Sequence, residues 1–124
     1  MRLLVLQAYL RLFQFDLDLA RHDFPALHER VRRCQLSSRR APPDAIARIC
    51  TAIDTACVCY WKQVLCLERS AATACLMRRY GVPAQLVIGA QRMPFRAHAW
   101  VEVDGQVVND KAYTPELYSV LERC

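Results

Sequence analysis

The sequence predicts an α+β domain, with helices through its first two-thirds and an antiparallel sheet at its end. Two observations carry that prediction. Apolar residues recur at three- and four-residue intervals as far as Tyr80, the period of helices that pack one face on a core. Beyond Pro83 the texture changes to short β-like runs, AQLVIGAQ and then AHAWVEV, followed by an Asp104-Gly105 turn signal and a return strand QVVND. At 124 residues the chain fits one domain, residues 1–124, with a helical part over 1–60 and a second part over 61–124 that holds the candidate chemistry.

The elements follow in order. Residues 2–19 hold a first expected helix. Asp23, Phe24 and Pro25 read as the start of a second, with Phe24, Leu27, Val31 and Cys34 on one stripe and basic residues opposite. Residues 35–43, QLSSRRAPP, break the pattern, and Asp44 restarts it: Ile46, Ile49, Cys50, Ile53, Cys57 and Tyr60 form the next apolar face. A further helix runs from Cys66 to Tyr80, because Gly81 stands where a left-handed C-terminal cap is wanted and Pro83 forbids continuation. Its small face of Ala71, Ala74 and Cys75 allows close packing. Thr114-Pro115-Glu116 reads as a helix cap with Pro at the first position, predicting a short final helix through Leu121.

Composition narrows the function classes. Hydrophobic residues make up 54% and charged residues 23%, and no segment approaches the roughly 20 apolar residues of a membrane span. The apolar run from Leu3 to Leu10 is short for a signal peptide and no small-x-small cleavage site follows, so a cytoplasmic location is expected. Seven cysteines are an odd number at irregular spacing, which points to reduced thiols rather than a disulfide framework. Cys50, Cys57 and Cys59 lack a second paired Cys or Cys/His knuckle, and no His falls between Cys34 and Cys75; no metal or other cofactor is expected. The net charge of +5 concentrates at Arg30, Arg32, Arg33, Arg39 and Arg40 without interleaved aromatics. That suits a solvated helix end or a contact for an acidic protein segment better than nucleic acid.

Three residues stand out chemically. A nucleophilic cysteine must be a thiolate near neutral pH, and unpaired N–H groups at a helix N-terminus favour that state. Cys66 alone among the seven is expected at such a position; the others sit inside helix periodicity or, for Cys124, at the chain end. His98 lies in an expected strand between two alanines, where neither bulk nor β-branching explains its choice, and can serve as a base. Asp110 can orient it. The backbone N–H of Cys66, and the side chain of Gln63 a few residues upstream, are candidate donors to an oxyanion. The ordinary alternatives are a buried thiol, a surface histidine, a strand-end aspartate and an exposed linker glutamine.

Hairpin register tests the pairing of His98 with Asp110. A two-residue turn at Asp104-Gly105 sets Val103 opposite Gln106 and sends His98 and Asp110 to opposite faces, a register that rules their pairing out. A three-residue Val103-Asp104-Gly105 loop sets His98 opposite Asp110, with Cβ atoms about 5 Å apart. Glycine at the third loop position suits the second arrangement, which is the expectation here.

Taken together, CLERS at 66–70, RRYGVPAQLVIGAQ at 78–91 and PFRAHAWVEVDGQVVND at 94–110 resemble the transglutaminase-like leader peptidases of lasso-peptide biosynthesis, over roughly residues 60–115. The resemblance implies a papain/transglutaminase-like fold with the nucleophile at a helix N-terminus. It also implies a Cys66, His98, Asp110 triad and removal of the leader from a ribosomally made precursor peptide before macrolactam closure by a separate ATP-using cyclase. The helical, Arg-rich first 60 residues are too short for an added leader-recognition module, which implies a separate small protein for that task. Two other readings use the same fold: acyl transfer to an amine on the same triad, and a non-catalytic peptide-binding partner.

Overall fold

The computed structural model describes residues 1–124. Four helices come first: α1 (Arg2–Arg21), α2 (Phe24–Arg33), α3 (Ala45–Cys59) and α4 (Cys66–Arg79). Strands β1 (Ala84–Gln91), β2 (Arg96–Val103) and β3 (Gln106–Val107), the short helix α5 (Thr114–Leu117) and strand β4 (Ser119–Arg123) complete the chain. The sheet is antiparallel throughout, in the order β3-β2-β1-β4. This is an α+β arrangement, as the sequence predicts.

Helix α4 is the centre of the molecule. Its residues Ala71, Ala72, Ala74, Cys75, Leu76 and Met77 are all at most 1% exposed, and their small side chains let α1, α3 and the sheet approach on different sides. The stripe on α3 is rotated slightly from the expected one: Ala45, Ile49, Ala52, Ile53 and Ala56 are buried, whereas Ile46, Cys50 and Cys57 lie at its edge. Helix α4 ends where Gly81 takes φ +86°, and a Cβ there would sit 2.1 Å from the Arg39 carbonyl oxygen, so only glycine fits. Arg78, in the last turn, donates to the carbonyls of Val31 (2.7 Å), Ala84 (2.9 Å) and Cys124 (2.6 Å), tying α2, β1 and the last residue of the chain to the helix end.

Strand β2 alternates as a two-faced strand must. Ala99, Val101 and Val103 join the core under the helices. Trp100 and His98 point the other way, where both rings lie beside that of Tyr118.

Two sequence expectations fail in the sheet. The final helix does not reach Leu121: it stops at Leu117, and Ser119–Arg123 turn back as β4 against β1, with paired bonds of 2.9 Å between Leu86 and Cys124 closing the ladder. Without β4 the outer edge of β1 would leave its backbone groups unpaired. The β2–β3 turn is the two-residue one, with Asp104 at φ 52°, Gly105 at φ 77° and Val103 opposite Gln106, not the expected three-residue loop. The return strand is also only two residues long, where five were expected.

Candidate active site

That short return strand decides the site. After Val107 one further ladder bond forms, from Val108 N–H to the Val101 carbonyl (3.0 Å), and then the backbone bends away through residues 108–110. The Val108 carbonyl accepts from the Cys50 thiol (3.5 Å) on α3, while Val101 N–H donates to the Asn109 side-chain oxygen (2.7 Å). Because the strand has ended, its alternation no longer governs Asp110. The two-residue register therefore does not separate His98 from Asp110: His98 Nε2 and Asp110 Oδ2 are 2.5 Å apart.

The pair is partly open to solvent, with side chains 25% and 28% exposed. Burial raises the Asp110 pKa, but the hydrogen bond from His98 and the Lys111 N–H (2.8 Å to Oδ1) outweigh it, so the carboxyl titrates below the usual aspartate range. The His98 ring is held from its flat side, with its centroid 5.2 Å from that of Tyr118 and 6.0 Å from that of Trp100. Directly opposite His98 on β1 is Gly89; a Cβ there would come within 2.8 Å of the Trp100 ring and 2.9 Å of Tyr118 Cβ. Glycine is what admits both aromatics to this face.

Cys66 is the first residue of α4, half-buried, with Leu65 as the N-cap and no side-chain cap over the first turn. The thiol thus sits at the end of the helix where free N–H groups concentrate positive potential. Glu68, in the first turn of the helix, is almost fully buried. Desolvation raises its pKa, Asp16 nearby raises it further, and Lys62 opposes both. Gln63 is exposed and makes no hydrogen bond.

A buried polar clamp joins the helix of Cys66 to the strand of His98. Ser70, one turn beyond Cys66, donates to the carbonyl of Ala99 (3.1 Å), the residue after His98, and accepts from Asn109 Nδ2 (3.0 Å), the residue before Asp110. Helix, strand and bend are thereby pinned within one residue of each candidate on β2 and the bend. The structure brings His98 and Asp110 into direct contact and fastens the helix of Cys66 beside them, but no hydrogen bond runs from the Cys66 thiol to the imidazole.

Sequence reasoning missed Ser70, Asn109 and Tyr118, none of which has a chemical signature of its own. It also missed Cys34. The neighbouring Cys75 thiol hydrogen-bonds to Cys34, and Arg11, Arg78 and Arg30 add positive charge, so its pKa is lowered despite burial. Cys75 is correspondingly raised. Cys66 is therefore not the only thiol in an environment that favours reactivity.

A thiol at a helix N-terminus and an imidazole–carboxylate pair at the adjoining strand and bend are groups that nucleophilic chemistry can use. The chain belongs to the transglutaminase-like superfamily, whose family model matches residues 9–123. It is similar to the Microcin J25-processing protein McjB of Escherichia coli, 41% identical over 56 residues, which are 45% of this chain. The matched stretch spans 27% of that relative's length. No solved structure matches significantly. No helix is long and apolar enough to cross a membrane.

Proposed function

We propose that this protein is a cysteine peptidase that removes the leader from a lasso precursor peptide. The observation that carries the reading is the 2.5 Å contact between His98 on β2 and Asp110 in the bend after β3, with the helix that begins at Cys66 packed against β2. His98 takes the thiol proton, and Asp110 holds the ring and balances the imidazolium. The Cys66 sulfur attacks the scissile carbonyl carbon, and the oxyanion is met by the Cys66 backbone N–H, with Gln63 free to add its side-chain amide. The imidazolium gives its proton to the departing amine, leaving an acyl-enzyme with the leader. His98 then deprotonates a water molecule, which releases the leader acid and regenerates the thiol. No cofactor enters these steps.

Similarity to a protein named for processing microcin J25 supports a precursor peptide as substrate. A separate leader-recognition protein presents the leader, and the freed core amine passes to an ATP-dependent cyclase, all in the cytoplasm.

The test is incubation of purified protein with a candidate precursor, with and without a recognition module, followed by mass spectrometry. Leader and core should appear with wild type and be absent with Cys66→Ala. Amine acyl transfer on the same residues predicts instead that excess amine diverts the acyl-enzyme to amide with little free acid. A peptide-binding partner without activity predicts binding and no cleavage.

A further inference from the structure

Helix α1 carries a second apolar line besides the one it buries. Leu4, Ala8, Leu12 and Phe15 face the core, whereas Leu3, Leu6, Leu10 and Phe13 are 66%, 54%, 56% and 43% exposed. Their spacing of three, four and three residues sets them on one line along about 15 Å of helix. That is the narrow seam of a coiled coil, tighter than the broad apolar face of a helix lying in a lipid interface.

The charge beside the seam has one sign. Arg2, Arg11 and Arg21 on α1 and Arg79 on α4 make no salt bridge, and Arg11 bonds only the neutral Gln14. The acidic residues of α1 are used elsewhere: Asp16 is buried against Tyr60 and Lys62, and Asp18 against Arg30. Along the edge of the seam, an open cavity of about 430 Å³ is lined by Leu10, Arg11, Gln14, Leu76 and Arg79, which extends the basic flank onto α4. A second copy of α1 laid on this face would set arginine against arginine.

We propose that this seam docks an amphipathic α-helix of another protein, apolar along one line and acidic beside it. The inference is independent of the reaction assigned to Cys66. Leucine anchors from the partner fill the spaces between Leu3, Leu6, Leu10 and Phe13, and its carboxylates meet the four arginines.

The probe is a synthetic peptide of about three heptads with Leu at the a and d positions and Glu at e and g, which its own charge keeps from self-pairing. A counterpart carries Lys in place of Glu. The Glu peptide should bind the full chain and gain helicity. The Lys peptide should bind at least about tenfold more weakly, and added salt should weaken the Glu complex. Leu6→Gln with Leu10→Gln should lower affinity by about tenfold or more while leaving the unfolding transition in place, and Arg11→Glu with Arg21→Glu should move preference toward the Lys peptide. Equal binding of the two peptides, no binding of either, or unchanged affinity in the Leu variants would overturn the proposal. So would transfer of the Leu-variant effect to vesicles containing phosphatidylserine, or to a concentration-dependent dimer in sedimentation velocity, since those assign the face to lipid or to a second copy.

Discussion

Replacing Asn109 with alanine removes the piece that lets the chain leave the ladder and carry Asp110 to His98. Its Oδ1 is the acceptor for the N–H of Val101, a residue with no solvent exposure, and its Nδ2 donates to Ser70 Oγ. Leaving the Val101 N–H unpaired costs about 1–3 kcal/mol, and the lost bond to Ser70 adds about 1 kcal/mol. The sum of about 2–4 kcal/mol lies within the 5–15 kcal/mol typical of a domain, so the variant should still fold. Urea unfolding is the assay. With an unchanged slope of about 2 kcal/mol per M, the midpoint should fall by about 1–2 M. Leader cleavage should fall as well, because Asp110 is no longer delivered to the imidazole, whereas Asp110→Asn should lower activity with a smaller fall in midpoint. In a double-mutant cycle, Ser70→Ala with Asn109→Ala should show a coupling of at least about 0.5 kcal/mol. A midpoint shift worth less than about 0.5 kcal/mol, together with full activity, would refute the idea that this clamp positions the site.

The remaining expectations concern the thiols, the aromatic face and pH. Iodoacetamide near neutral pH, read site by site by mass spectrometry in a Cys34→Ser background, should label Cys66 ahead of the five other cysteines, and His98→Ala should slow that labelling; equal rates would favour a non-catalytic role. Gly89→Ala should cost about 1–3 kcal/mol in thermal unfolding, since the new methyl must displace Trp100 or Tyr118. Glu68→Gln keeps the size and shape of the side chain and removes a titration. The folded pKa of Glu68 is raised, so the folded state holds its proton longer than the unfolded chain. Wild-type stability should therefore fall relative to the variant as pH rises from about 4.3 through the raised folded value, and a difference that does not change with pH would contradict it. Asp110 has the opposite sign: its pKa is lowered, so its stabilising contribution is present above the ordinary aspartate range and is lost as pH falls through the depressed value, which Asp110→Asn should abolish in an acid titration.

Local chemistry was legible without coordinates wherever it repeats or stops. Helix α2 begins just after Asp23 and α3 just after Asp44, although neither carboxylate caps its helix, and Gly81 with Pro83 ends α4, because a breaker acts within one helical turn. Helix α4 begins at Cys66, as expected, and the runs AQLVIGAQ and AHAWVEV became β1 and β2. Strand β4 was not legible: SVLER has no alternation of burial, every residue of it is exposed, and it is a strand only because β1 leaves an edge open.

The sequence alone determined which residue types carry chemistry, and the fold class, because helix period and strand alternation are properties of neighbours along the chain. Whether Asp110 meets His98 belonged to the tertiary structure. A side chain from Asn109, a hydroxyl from Ser70 and a carbonyl claimed by Cys50 end the ladder early, and each comes from a different part of the chain. The two-residue register forms and still does not decide the pairing, since alternation across a hairpin holds only as far as the backbone bonds continue. Long-range hydrogen bonds ended them at Val108.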